Sequence, residues 1–459
     1  MSKFSKWLVK NFWVIMIAGL LVRLILAGIT SWNNDIRVWF QFAADLKSGI
    51  GVYTNKTFSY PPGLAAILSV VYYPLTIFSN PSQWSHYSAV VDKLSAASLL
   101  FWPNVATPFF AFYSKIPLFL AEIGFLLVLY STYKKNIGLD KIKLILLFFY
   151  LNPLVIFVSA IHGQLDLFPI LVLAAGFLFY RKQNFFWSGI LIGLATTMKL
   201  YPALIFLPLL FYIFSTGVSK QYFTSAYKLL LGFLLPVSAM LVYMIFVPAS
   251  SVVTFTRFST IGFEGSMNFA AINYLPFLQS AIFHHQKSLS NFMTFGLYFS
   301  PFVAYYFARR WFYKNKIVDK FELEKIIVTT FFLIYFFSGR TDPNYLLWAL
   351  PFLLALVLEN QVKLSSILSF TGAGFLFYLG IHSMSWKVLF FPLSYFGYSI
   401  QNMADQYIRF SQIPGLINSK IYADIFLFSA IWLIAAEFSI IRQMFRNQIR
   451  NPNVEIRKK

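Results

Sequence analysis

FWVIMIAGLLVRLILAGITSWNND, residues 12–35, decides the fold. Residues 12–29 are apolar except for Arg23, long enough to cross the hydrocarbon core of a bilayer as an α-helix. The run is too long and too weakly flanked to be a cleaved signal peptide, and no small-residue cleavage site follows it. It reads as a first spanning helix. It stops at Ser31-Trp32-Asn33-Asn34-Asp35, where an acid stands directly beyond the apolar segment.

Outward from this stretch the pattern repeats. Comparable runs are Lys143–Ala160, Leu229–Val247 and Ile425–Ile441. Of 459 residues 58% are hydrophobic and 12% charged, with mean hydropathy +0.66, which a soluble domain of this length could not bury. Spanning helices are expected near 12–30, 109–133, 142–161, 165–181, 185–199, 201–216, 228–248, 293–312, 325–339, 344–358, 364–384 and 422–441. Pro202 and Pro208 interrupt the short pair at 185–216. The expected fold is an all-α integral membrane protein, a polytopic helical bundle of about 12 transmembrane helices (roughly 10–13) with interfacial helices on its outer face. With no repeat, low-complexity tract or soluble domain in view, residues 1–459 read as a single transmembrane unit.

The net charge of +21 would suggest nucleic acid in a soluble protein, but its distribution gives another reason. With the N-terminus in the cytoplasm and the spans alternating, roughly two-thirds of the Lys and Arg fall on cytoplasmic segments, the positive-inside pattern. An even helix count puts both termini there, with 442–459 a basic cytoplasmic tail. Residues 31–108 become a first outer loop, with an interfacial helix after Asn34 and an apolar helix after Pro61-Pro62. Residues 249–292 form a second outer loop, and Trp386–Lys420 also faces outward. There is no cysteine, so neither disulfides nor thiolate chemistry enters. The 55 Phe serve mostly as packing and lipid-facing surface.

Sidedness concentrates the chemistry. His86, His162, His284, His285 and His382 all fall on the outer side, with Asp35, Asp166, Glu264, Arg340 and Asp342, and Lys199 at an outer helix end. A charged side chain at membrane depth costs about 2.5–3.5 kcal/mol on insertion scales, so such groups persist where they pair, line water or serve a site. Asp35 reads either as a general base above the bilayer or as an acid at the N-terminus of the next helix. His162-Gly163-Gln164-Leu165-Asp166 makes a tight turn that needs only its glycine, yet carries three more hydrogen-bonding side chains. Lys199, in Thr196-Thr197-Met198-Lys199-Leu200-Tyr201-Pro202, reads as a snorkelling lysine or as a fixed cation for a phosphate. Arg340 and Asp342 either serve a site or satisfy each other; Arg257 with Glu264, and His382, are weaker candidates. No P-loop, His-Glu-x-x-His, Gly-x-Ser-x-Gly or Asp-x-Asp motif occurs, so no metal or other cofactor is expected.

Asp35 after the first helix, Gly49-x3-Tyr53, Tyr60-Pro61-Pro62, Gly163-Gln164-Leu165-Asp166, Lys199-x-Tyr201-Pro202 and Tyr345-x2-Trp348-x2-Pro351 follow one another in an order that resembles the GT-C superfamily of glycosyltransferases. The likeness covers most of residues 10–360 and is nearest to polyprenyl-phosphate-mannose-dependent α-mannosyltransferases of the bacterial phosphatidylinositol-mannoside type. Asp342-Pro343-Asn344 departs from the His- or Gln-bearing turn expected before Tyr345, and the Trp-Trp-Asp motif of oligosaccharyltransferases is absent. The resemblance implies an inverting transfer of a hexose, mannose favoured, from a polyprenyl-phosphate-sugar donor to a glycolipid or lipid-linked acceptor, at the outer face of a prokaryotic plasma membrane. It implies Asp35 as catalytic base and Lys199, Arg340 and His382 as holders of the donor phosphate. Tyr60, His162, Gln164, Asp166, Tyr201 and Tyr345 would contact substrate. Two rivals are a transporter or flippase of lipid-linked saccharide, which would need broken or charged helices at the midplane, and a non-catalytic membrane scaffold, which leaves the one-sided polar groups unexplained.

Overall fold

The structure, a computed structural model, describes residues 2–55, 57–92, 103–216, 220–259, 286–314, 317–318, 322–337, 343–381, 388–402, 420–446 and 455–456. These residues are overwhelmingly helical. Helix α1 (Lys3–Lys10) is capped by Ser2, whose hydroxyl accepts from Ser5 N at 3.1 Å. Asn11 separates it from α2 (Phe12–Ile29), which exposes Trp13, Val14, Ile17, Leu21 and Ile25 along one side and buries Gly19, Arg23 and Ala27 on the other. The two faces separate at helical spacing, one suited to lipid and one to protein. Arg23, the lone charge of the run, is fully buried. Its Nε donates to Glu122 Oε2 at 2.8 Å, and its guanidinium lies 3.8 Å over the Tyr150 ring.

Helices α3 (Asn33–Lys47) and α4 (Pro62–Phe78) follow and pack on one another. Pro62 opens α4 at a position where its missing N–H costs nothing. Strand β1 (Ser85–Tyr87) pairs antiparallel with β2 (Asn104–Ala106), a small element that an all-helical reading omits. Next come α5 (Pro108–Tyr113), α6 (Ile116–Tyr133), α7 (Leu139–Tyr150) and α8 (Pro153–Ile156), which runs into a π-helical turn, Phe157–His162. The chain continues through α9 (Leu167–Arg181), α10 (Phe185–Met198), α11 (Tyr201–Thr216), α12 (Lys220–Phe246), α13 (Pro248–Ser259) and α14 (Gln286–Lys314). Beyond β3 (Ile317–Val318) come α15 (Glu322–Phe337), a 3-10 turn at Pro343–Trp348, α16 (Leu350–Leu358), α17 (Leu364–Ile381) and a 3-10 stretch at Val388–Phe396. The long α18 (Lys420–Arg446) follows, and β4 (Glu455–Ile456) pairs with β3.

A helix stands at each of the expected span positions, but three of them are not continuous; the run over 344–358 opens as the 3-10 turn before α16. The run expected over 109–133 breaks at Ser114-Lys115, between α5 and α6. The run over 142–161 bends by 47° where Asn152 and Pro153 end one helix and start the next. Proline lacks the N–H that would continue the ladder, and the Asn152 side chain instead accepts from Leu154 N at 3.0 Å. Among the described residues, four helical stretches are long and apolar enough to cross a membrane, Phe12–Ile29, Pro108–Tyr133, Phe223–Phe246 and Leu427–Phe445, or five with the bent pair. Shorter apolar helices such as α9, α10 and α11 pack among them.

One apolar core joins α2 to α18, from Phe12 to Met444. Its closest helix contact is α10 on α12. A Cβ on Gly189 would sit 2.2 Å from the Leu229 carbonyl oxygen, and one on Gly232 2.2 Å from that of Phe186. Small residues let the two backbones touch, as membrane helices require when lipid is as apolar as a side chain. At the far end of α9 from Asp166, Arg181 pairs with Glu324 at 3.4 Å, and nearby Arg309 pairs with Glu322 at 2.8 Å.

Candidate functional site

The polar turn between the π-helical segment and α9 organises the site. Gly163 adopts φ +81°, a left-handed conformation that a side chain disfavours. The amide N–H groups of Gly163 and Gln164 both donate to Val158 O at 3.0 Å. The turn is thereby closed tightly, and His162, Gln164 and Asp166 are all buried at one end of the bundle. Two polar groups form around it.

The first is centred on Asp35, in the opening turn of α3. His162 Nε2 and Gln164 Nε2 both donate to Asp35 Oδ2, so one carboxylate oxygen gathers two side chains from more than a hundred residues away. The His162 ring lies between Trp32, 4.7 Å away, and Tyr378, 5.5 Å away and nearly perpendicular. The Asp35 side chain keeps 15% of its surface exposed while His162 keeps 5%. Trp32, not Asp35, holds the cap position of α3, while Asp35 stands in the first turn, where a negative charge also suits the helix dipole.

The second group is centred on Asp166, whose side chain is 0% exposed. Its Oδ1 accepts from Lys199 Nζ at 2.5 Å and from Trp348 Nε1 at 2.9 Å, and its Oδ2 accepts from Asn344 Nδ2. Lys199 sits in extended backbone between α10 and α11, with 14% of its side chain exposed. Its ammonium lies 5.1 Å from the Tyr345 ring centroid and 5.7 Å from those of Tyr60 and Trp348. Aromatic faces attract cations, so this box and one carboxylate fix the charge in place. Tyr201 stacks on Trp348 at 3.6 Å, and its hydroxyl is buried with no hydrogen-bond partner among the described residues.

Tyr60 joins the groups. Its hydroxyl is 3.4 Å from Gln164 Oε1, its ring is under Lys199, and Phe58 and Trp39 lie beside it at 5.5 and 5.6 Å. Tyr53 holds it from behind, donating to the Tyr60 carbonyl at 2.9 Å. Gly63 brings this segment against α10: a Cβ there would fall 2.1 Å from Thr197 Oγ1. The 3-10 turn carrying Asn344, Tyr345 and Trp348 is pinned in the same way by Tyr335, which donates to Tyr345 O at 2.8 Å and accepts from Ala349 N at 3.1 Å.

The structure therefore brings together Asp35, Tyr60, His162, Gln164, Asp166, Lys199, Tyr201 and Tyr345. Arg340, Asp342, His382, Glu264, His284 and His285 lie outside the described residues, as does the side chain of Arg257. His86 is elsewhere, on β1, bonded to Tyr395. Sequence reasoning missed Trp32, Asn344, Trp348 and Tyr378 as members of the site. Trp348 stood in a quoted motif and Asn344 only in its departure, and nothing local marks Tyr378. Among the described residues no three His, Asp or Glu side chains converge as metal ligands do.

Chemically the arrangement offers a partly exposed carboxylate steadied by two side-chain donors, a fixed cation a few contacts away, and aromatic faces between them. The model of glycosyltransferase family 87 matches residues 58–320, which carry Tyr60, the His162–Asp166 turn and Lys199 but not Asp35. No curated protein matches the chain.

Proposed function

The chain belongs to glycosyltransferase family 87, whose model spans more than half of it, and from that premise we propose that it moves a hexose, mannose favoured, from a polyprenyl-phosphate-sugar donor to a lipid-linked or glycolipid acceptor. The observation that carries this reading is the continuous contact path from Asp35 through Gln164 and Tyr60 to Lys199. It puts a base and a cation in one site, as an inverting displacement requires. No observation favours the transport alternative.

In the proposed step Asp35 takes the proton from the acceptor hydroxyl as that oxygen attacks the anomeric carbon from the face opposite the phosphate. The carbon–oxygen bond to phosphate breaks, and its electron pair leaves with the polyprenyl phosphate. A phosphodiester thus becomes a phosphomonoester, and negative charge grows on the leaving group. Lys199 faces that charge, with Arg340 and His382 as further holders of the phosphate. A preorganised contact of this kind is worth about 2.7–4 kcal/mol to the transition state, and a well-placed base adds roughly 10²–10⁴-fold. His162 and Gln164 keep the Asp35 carboxylate turned toward the acceptor, while Tyr60, Tyr201 and Tyr345 offer ring faces for the sugar. Asp166 orients Lys199. The chemistry proposed uses no metal. In this reading the chain is one transmembrane unit of about twelve spans with both termini cytoplasmic, and the site lies at the outer face of a prokaryotic plasma membrane, where a polyprenyl tail stays in the bilayer while its head group reacts.

The test is transfer by purified protein from radiolabelled polyprenyl-phosphate-mannose, and separately -glucose, to a membrane-lipid extract. A labelled lipid product formed with one donor and not by Asp35→Asn is the expected result. Transfer from a nucleotide sugar in place of either lipid donor would overturn the reading.

A further inference from the structure

Lys115, in the break between α5 and α6, is 1% exposed. No carboxylate meets it among the described residues. Its ammonium donates only to neutral oxygens: Ala27 O at 3.2 Å, Thr30 O at 2.6 Å and Thr30 Oγ1 at 3.1 Å. These three acceptors match the three N–H donors of an ammonium. They lie at the C-terminal end of α2, where carbonyls lack helical partners and the macrodipole is negative. A buried cation with no counter-ion is expensive at membrane depth, and a side chain kept only to fill space would be apolar.

Its position gives the side chain a use. The Thr30 hydroxyl that Lys115 contacts donates to Leu26 O of its own helix at 2.5 Å and packs 3.4 Å from the carbonyl oxygens of Ala160 and Ile161, in the π-helical segment that ends at His162. The stem of Lys115 passes beneath the next residue, since a Cβ on Gly163 would meet its Cε at 3.3 Å and its Cγ at 3.4 Å. One side chain therefore holds the end of the helix that precedes Asp35 and supports the turn that presents His162 and Gln164. We propose that Lys115 is a positioning residue for transfer: its ammonium fixes the end of α2 against the π-helical segment and so sets the Asp35–His162 contact. This rests on Asp35 being the base.

The test uses the full chain and the same transfer assay. Lys115→Met keeps the stem and removes the hydrogen-bonding nitrogen; Thr30→Val keeps the shape and removes the hydroxyl that accepts from Lys115. Lys115→Met is expected to lower kcat at least tenfold with the donor KM changed less than twofold. In a His162→Gln background, where the contact is already lost, the same substitution should lower kcat less than twofold. Thr30→Val should show a smaller kcat loss with the same dependence on His162. If Lys115→Met does not yield folded protein in detergent, Thr30→Val decides. Equal losses with and without His162, or an unchanged kcat in the folded variants, would overturn the proposal and leave Lys115 a structural cap. Full activity of Asp35→Asn would remove the premise itself, whereas an inactive Asp35→Asn beside a fully active Lys115→Met would sink the Lys115 inference alone.

Discussion

At the residue scale the site divides into a carboxylate that is partly open and one that is sealed. Asp35 has the exposure needed to meet a hydroxyl, and Asp166 does not. Asp35→Asn should keep the hydrogen-bonding volume and abolish transfer, lowering kcat roughly 10²–10⁴-fold while the purified protein remains monodisperse. Retained activity would take the base assignment away. Lys199→Met should raise the donor KM and lower kcat, but it also leaves Asp166 buried with only Asn344 and Trp348 as partners. Breaking a buried pair from one side costs about 3–5 kcal/mol, so this variant should also unfold at lower temperature. Adding Asp166→Asn should recover thermal stability without recovering transfer. If stability and transfer return together, Lys199 serves the fold and not the phosphate.

Elements matter here for where they end. Gly163 with the π-helical turn, the Pro62 start of α4 and the extended residue Lys199 are all element boundaries, and between them they deliver His162, Gln164, Asp166, Tyr60 and Lys199 to the site. Gly63→Ala tests this directly. The added methyl would meet Thr197 Oγ1 at 2.1 Å and Thr197 O at 2.7 Å, forcing the Tyr60 segment away from Lys199. The expected outcome is a fall in kcat/KM of about tenfold or more for the lipid donor, since a 1 Å misplacement can cost on the order of 10²-fold. Thr197→Ala should not rescue it, because the backbone carbonyl remains; full rescue would show that only the side chain was in the way. Away from the site, His86 of β1 bonds Tyr395 of the Val388–Phe396 stretch, and burial lowers the His86 pKa from its ordinary value. A histidine whose folded pKa is depressed stabilises the contact above its unfolded value near 6.5 and loses it as pH falls through the folded one. Amide exchange at residues 85–87 should therefore quicken at pH 5 relative to pH 7.5, and unchanged protection would dismiss the latch.

For the whole molecule the buried charges act as fasteners between distant parts of the chain. Arg23 ties α2 to α6 through Glu122 and to α7 through the Tyr150 ring and carbonyl. Arg23→Ala should lower thermal stability by about 3–5 kcal/mol, because Glu122 is left alone in the interior. Arg23→Met with Glu122→Leu should be markedly more stable than that single variant in the same unfolding assay. Equal behaviour of the two would mean the pair carries no structural weight. The same fastening sets the site, whose parts come from α3, the segment before α4, the His162 turn, the α10–α11 junction and the Pro343–Trp348 turn. Apart from α3 and the segment before α4, no two of these neighbour each other in sequence.

Much of this was legible without coordinates. Apolar length marked the helices, since the bilayer makes a spanning segment satisfy its own backbone and so writes its length into the chain. The residue types at Asp35, His162–Asp166 and Lys199 marked the site, since charge beside an apolar run needs a reason. Only the tertiary structure decided who partners whom. Nothing local says that Asn344 and Trp348 share Asp166 with Lys199, that Arg23 belongs to Glu122, or that Lys115, hidden in an apolar run, caps α2. Hydrophobic periodicity reports a residue's own helix and face, whereas an ion pair or an aromatic box depends on how distant helices approach. That approach is set by glycines, bends and packed side chains acting together, and no single stretch of sequence contains it.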